Sequence, residues 1–134
     1  MSPDKDEALC AKYPKIFANR HGDMLSTCMC WGLECGDGWF DLIDTLCGLL
    51  QWDTNHNGQP QIVASQVKEK YGTLRFYTEG STERQDGVIA MAEQMSGRLC
   101  ERCGGPSVVS GTGWLSTVCK SCNSPTAPEK HNAG

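Results

Sequence analysis

Apolar positions recur every three to four residues in three stretches of this chain and every second residue in two others, a pattern that predicts three helices and one hairpin. In residues 4–16, acids open the stretch and Leu9, Tyr13 and Ile16 recur on one side, with Pro14 set to break or bend the last turn. Trp39, Ile43, Leu46 and Leu50 then fall at i, i+4, i+7 and i+11, so a helix here has one buried face and forms the centre of the core. Asp37 is placed to cap its first turn, and Asp41 and Asp44 sit near the positive end of its dipole. The glycine-rich run just before it, Trp31-Gly-Leu-Glu-Cys-Gly-Asp-Gly-Trp-Phe40, implies special backbone geometry. After it, Asp53-Thr-Asn-His-Asn-Gly58-Gln-Pro60 reads as a loop. Thr82 with Gln85 makes a capping box for a third helix, which places Val88, Met91, Ala92, Met95 and Leu99 on one side and runs into Cys100.

The two alternating stretches, residues 62–70 and 73–79, predict strands joined tightly at Tyr71-Gly72. A two-residue turn sets Val67 opposite Phe76 and Glu69 opposite Leu74. Val63, Val67, Leu74 and Phe76 then face the core, and Gln66, Lys68, Arg75 and Tyr77 face away. Lys68 and Arg75 lie opposite each other on that second face, and facing like charges destabilise a sheet unless something acidic covers them. Glu79, the acidic helix or an external partner could do so. Lys68, Arg75 and Tyr77 are therefore the candidate partner-binding residues.

The end of the chain carries the sharpest chemistry. Cys100-Glu-Arg-Cys103 and Cys119-Lys-Ser-Cys122, separated by fifteen residues, have the spacing of a four-thiolate zinc site. Gly104 and Asn123 follow the two hooks and tolerate a left-handed backbone. Between them, residues 107–109 and 114–118 are strand-like runs around a flexible Ser110-Gly-Thr-Gly113, which predicts a zinc ribbon. Four thiolates leave no open position for water, so Cys100, Cys103, Cys119 and Cys122 are expected to hold one structural zinc; a redox pair is the rival reading. The fold class expected is α+β, a small helix-hairpin-helix domain over residues 1–99 with a four-cysteine zinc ribbon over 100–123. A Ser-, Pro-, Ala- and Gly-rich tail over 124–134 is expected to be disordered.

Composition narrows the setting. With 134 residues there is room for one core and an appendage. Nine cysteines, four claimed by the ribbon, leave an odd five, which points to a reducing cytoplasm over a disulfide set. The start of the chain carries no signal-peptide pattern and no apolar run is long enough for a membrane span. The net charge of -4 is uneven: residues 21–67 contain no Lys or Arg but hold Asp23, Glu34, Asp37, Asp41, Asp44 and Asp53. Such a block favours basic partners or cations, and equally serves as a solvated helix face.

Weaker constellations remain. Cys28, Cys30 and Cys35, joined by Cys47, His21 or His56, would supply ligands for a second metal, though buried cysteines also serve as small hydrophobes. Asp53, Asn55, Asn57 and Gly58 imitate half a calcium loop, but Ala64 stands where the bidentate glutamate belongs. His21, Glu34 and Asp37 are the acid and base candidates, with no nucleophile setting beside them.

Several stretches together resemble a family of small proteins encoded by tailed bacteriophages and prophages. They are Thr27-Cys-Met-Cys-Trp-Gly32, Glu34-Cys-Gly-Asp-Gly-Trp39, Leu42-Ile43 with Leu46-Cys47, Val67-Lys-Glu-Lys-Tyr-Gly72 with Leu74-Arg-Phe-Tyr77, and the terminal hooks with Gly113-Trp114. They cover roughly residues 24–122. The resemblance implies origin more than activity, since no reaction attaches to the family. By analogy with small phage proteins, the expectation is a non-enzymatic protein that binds and modulates a host or antiviral-defence protein in the host cytoplasm. The alternative is a nucleic-acid-binding accessory protein using the hairpin's basic and aromatic face. The ribbon itself is a poor phosphate binder, since only Arg102 and Lys120 stand against Glu101 and four thiolates.

Overall fold

The computed structural model describes residues 1–123, so the expected tail lies outside the described residues. Its elements are α1 (Pro3–Lys12), β1 (Leu33–Glu34), α2 (Phe40–Asn57), β2 (Ala64–Lys70), β3 (Thr73–Thr78), α3 (Glu83–Ser96) and α4 (Lys120–Asn123), with short 3-10 turns at Cys28–Trp31 and Asp37–Trp39. The fold is mixed α/β: four helices, and a three-stranded sheet in the order β1-β2-β3, with a cysteine cluster at the C-terminal end. Among the described residues no helix is long and apolar enough to cross a membrane.

The hairpin has the expected register, with Val67 paired to Phe76, Lys68 to Arg75 and Glu69 to Leu74. Tyr71 and Gly72 turn it with φ of 54 and 85, left-handed at both central positions, as a tight hairpin turn requires. An irregularity between Ala64 and Gln66 adds a residue to β2. That bulge reverses the alternation before it, so Ala64 is buried where Val63 was expected to be. The sheet also gains β1, unforeseen from two residues of sequence, which pairs parallel to β2 with Leu33 beside Val67 and Glu34 beside Lys68. The outer edge of β3 is closed by α3: Leu74 N–H donates to Ser96 Oγ at 2.8 Å and Phe76 N–H to Glu93 Oε2 at 2.9 Å. Capped donors of this kind leave no ladder for another strand to extend there.

Three helix expectations change. α1 stops at Lys12, because Pro14 pushes Tyr13 out of the helical region (φ -124, ψ 64), although Ile16 and Phe17 remain buried in the turn that follows. α2 runs on through Asp53 to Asn57, where a loop was expected, and ends at Gly58 in the left-handed region. Tertiary contact overrides the turn-forming composition: Asp53 is buried and takes both Nε and Nη2 of Arg84 on α3, at 2.7 and 2.9 Å. α3 begins with the expected capping box, but its buried face is Gln85, Ile89, Ala92 and Ser96, which leaves Met91 69% exposed instead of in the core. Trp39, Ile43, Leu46, Leu50, Val67, Leu74 and Phe76 form the middle of that core. Between the hooks the expected strands form no ladder. Only the single bridges Leu99 to Pro106 and Ser110 to Ser116 are present, and α4 carries the second hook.

Candidate metal centre and docking face

The C-x2-C spacing lets each hook fold its two sulfurs onto one point, and the fold brings the hooks together. The Sγ atoms of Cys100, Cys103, Cys119 and Cys122 all lie within 4.8 Å of one another, with Cys103 and Cys119 3.7 Å apart, so the four could hold a metal ion. Cys100 and Cys122 are buried and Cys103 is exposed. Backbone N–H groups point at the sulfurs, from Cys119 to Cys100 at 3.3 Å and from Gly105 to Cys103 at 3.4 Å. Burial pushes the Cys100 thiol up, but N–H donors from Cys119, Cys103 and Arg102 outweigh it and bring the group down to about 7. Burial and the neighbouring thiols push Cys122 up to about 12. A cation held between the sulfurs would bind them as thiolates and offset the cost of burying their charge. Gly104 is left-handed (φ 79) as expected, whereas Asn123 is the last residue of α4.

The cluster is seated on the glycine-rich run. Gly38 N–H donates to Glu101 O at 2.7 Å, Gly36 N–H to Glu101 Oε2 at 2.9 Å, and Trp39 Nε1 to Leu99 O at 2.9 Å. A methyl group on Gly38 would stand 2.2 Å from Cys100 O, and one on Gly36 2.3 Å from Glu101 O. These glycines are there for close approach of two backbones, not for unusual dihedrals; Gly36 itself has φ -78. On the far side, the Thr117 hydroxyl donates to Gly72 O in the hairpin turn, and Glu101 N–H donates to Thr117 O at 2.8 Å. Burial raises Glu101 above the usual carboxylate range, partly offset by the Gly36 N–H.

The outward hairpin face lies on the other side of the sheet. Lys68, Arg75 and Tyr77 share it as expected, and a groove of about 630 Å³ runs between this face and the segment Met24 to Cys28, lined by Gln66, Lys68, Lys70 and Tyr77. Among the described residues the ion pairs are Lys12–Asp44, Arg20–Asp6 and Arg84–Asp53, and none involves Lys68, Lys70 or Arg75. Arg75 Nε is shielded from solvent and has no acceptor among the described residues. Glu79 is bound instead by Asn19 at 2.8 Å, and the residue that stands beside Lys68 is Glu34 of β1, which Gln66 approaches at 3.4 Å. Apolar side chains flank the groove, Leu25 at 90% and Met24 at 64% exposure.

The other candidates do not assemble. Among the described residues the C-terminal cysteines are the only group of three or more Cys, His, Asp or Glu close enough to share an ion, and Cys28, Cys30 and Cys35 fall outside it. Cys35 and Cys47 are buried in the core, where burial pushes Cys35 up to about 12 and raises Cys47 further, the behaviour of small hydrophobes. The calcium-like run is helical, and its first carboxylate is taken by Arg84. Asp37 does not cap α2: its Oδ1 accepts Ser2 N–H at 2.8 Å. His21 lines a hollow with Asp6, Cys10 and Arg20 that neither Glu34 nor Asp37 joins.

A polar centre of the fold that sequence reasoning missed is Asp6. It is buried, accepts Arg20 Nε and Leu33 N–H each at 2.8 Å, and Arg20 Nη1 reaches Cys30 O at 3.1 Å. An acid in a first helical turn gives no hint of this, because its partners lie fourteen and twenty-seven residues away. No protein-family model matches the chain, and no curated protein or solved structure shows significant similarity to it.

Proposed function

We propose that this chain is a non-enzymatic, zinc-stapled binding protein of phage origin. In this reading its outward hairpin face engages an acidic, partly apolar surface of a host or antiviral-defence protein in the host cytoplasm. The carrying observation is the set of three cations, Lys68, Lys70 and Arg75, on one sheet face with no ion pair among the described residues, next to Tyr77 and the exposed Met24 and Leu25. Arg and Tyr are enriched among energetically dominant contacts, and an Arg Nε already dry and unpartnered has little left to lose by desolvation. Zinc is the ion the donors favour: thiolates about 2.3 Å from a tetrahedral zinc stand about 3.8 Å apart, against 3.7 Å between Cys103 and Cys119. With its four positions filled by sulfur, one zinc per chain holds structure and offers no site to a substrate. Among the described residues none of the nine cysteines is joined in a disulfide, which suits a reducing compartment.

A second reading, single-stranded nucleic acid on the same face, has one observation in its favour. Tyr71 is 67% exposed yet held in the left-handed region at a cost that Asn or Gly would avoid, with the Lys70 ammonium 5.5 Å from its ring. Salt separates the two. Binding through phosphates falls steeply as salt rises, whereas a dry Arg anchor with an apolar rim weakens less, although its exposed lysines are screened too. Tagged protein is incubated with infected-host lysate in low and high salt, beside a labelled oligonucleotide titration. The protein reading expects one host protein retained at high salt by the parent and lost with Arg75→Glu. Salt-sensitive oligonucleotide binding with no such protein would replace it with the second reading.

A further inference from the structure

The largest disagreement between expected and observed burial, on α3, exposes a second surface. Leu42, Leu46 and Leu49 of α2 and Val88, Met91 and Met95 of α3 line a groove of about 420 Å³ between the helices. Met91 is 69% exposed, Leu49 48% and Met95 39%. One turn beyond Leu49, Trp52 is 52% exposed and held by stacking on His56 at 4.7 Å. The two helices are antiparallel: Arg84 near the start of α3 holds Asp53 near the end of α2, while Trp39 at the start of α2 donates to Leu99 just past the end of α3. Asp41, in the first turn of α2, and Arg98, just past α3, therefore stand at the same end of the helix pair, outside the residues that line the groove. Both are exposed and neither belongs to an ion pair among the described residues. At the opposite end the charge of Arg84 is taken by Asp53.

We infer that this face binds a second copy of the chain about a two-fold axis running along the groove. Such an axis sets α2 of each copy against α3 of the other and keeps like ends together, so Asp41 of each copy meets Arg98 of the other and both ion pairs form at once. It also lets one surface supply both ridge and groove: Met91 and Trp52 of one copy enter between the helices of the next, as self-complementary contacts require. The groove is nearly apolar, its one charged lining residue, Arg84, is paired with Asp53, and one acid and one base without ion pairs among the described residues flank it, so it offers no net charge to a polyanion or a strongly acidic peptide. The resulting contact is a four-helix arrangement. The helices pack on the core side of the sheet, so the dimer leaves both outward hairpin faces open and does not depend on what binds there.

Sedimentation equilibrium of the metal-loaded full chain over a concentration series tests this. The parent is expected to self-associate to a dimer. Met91→Glu and Leu49→Glu, each at an exposed helix position, are expected to weaken association at least tenfold with unchanged far-ultraviolet circular dichroism. Asp41→Arg and Arg98→Asp are each expected to weaken it, and the double reversal Asp41→Arg with Arg98→Asp to restore it. A parent that stays monomeric throughout overturns the inference. Dimerisation of both glutamate variants as tight as the parent's overturns it too, and so does failure of the double reversal to restore association. Retention of the hairpin partner by Met91→Glu keeps this outcome separate from the fate of the hairpin reading.

Discussion

The two ends of the described chain are fastened to the same core by opposite chemistry. At the N-terminal end, α1 and the irregular residues up to β1 are tied by carboxylates: Asp6 to Arg20 and the Leu33 N–H, and Asp44 to Lys12 and the Tyr13 hydroxyl. At the C-terminal end, an equally irregular segment closes on four sulfurs and is seated on Gly36 and Gly38. Outside α1, both segments lack the regular ladders that would satisfy their backbone. One solves this with charge carried in the chain, whereas the other gathers four sulfurs that could hold an ion from solution, so in the metal-loaded chain the first should answer to pH and the second to metal removal.

Metal removal is the largest perturbation expected. Structural zinc in small modules contributes on the order of 10 kcal/mol, comparable to the whole stability of a domain. Chelation or Cys103→Ser is expected to release the segment after Leu99 and, with it, the Trp39 indole bond and the Gly38 contact. Thermal melting with and without chelator, together with metal analysis, checks this. One zinc per chain and a large fall in melting temperature are expected, and two zincs would refute the single site. Asp6→Ala comes next, at about 3–5 kcal/mol, because it leaves the mostly buried Arg20 guanidinium without its counter-charge. Denaturant titration should show that loss with zinc content unchanged, which separates the two fasteners.

Gly38→Ala sharpens the comparison from the other side. The added methyl meets a backbone oxygen, so the clasp must shift, at a cost of about 3 kcal/mol. It should lower both stability and metal retention, measured by competition with a chromogenic chelator, whereas Gly87→Ala, with nothing nearby, should lower neither.

The smallest effect is in acid. The Tyr13 hydroxyl, and after it Lys12, hold Asp44 below the usual carboxylate range, against burial, which raises it. A depressed folded value means stability that is fully present above the unfolded value of about 4 and is lost as pH falls through the folded one. Asp44→Asn should therefore cost about 1 kcal/mol at neutral pH and flatten the loss of stability below about pH 4. An unchanged acid limb of the stability curve would remove Asp44 from the N-terminal fastener.

The same contrast governs what the sequence made legible. The cysteine hooks were readable because a metal needs its ligands at fixed spacing in two short words, and the hairpin because a two-residue turn fixes register. The Asp6 tie was not, since its partners are distant and of ordinary type. Glycines 36 and 38 were visible as a cluster, but their reason, a second backbone pressed against them, lies sixty residues on. α2 overran its expected end because Asp53, itself buried, is paired with the exposed Arg84 of α3, against the turn propensity of Asn and Asp, and β1 is too short to show a period. On α3 the apolar stripe was read one position away from the buried one, since Val88, Met91 and Met95 are as apolar as Ile89 and Ala92.

If the proposed hairpin reading holds, both fasteners keep the hairpin face open for a partner. The most direct test is the affinity of the retained host protein for Arg75→Ala/Tyr77→Ala, measured beside the melting temperature of that double variant. A loss of about 2 kcal/mol or more, roughly thirtyfold in Kd, is predicted, with melting nearly unchanged. Parental affinity in the double variant, or a melting temperature well below the parent's, would contradict it and make the face part of the fold's support.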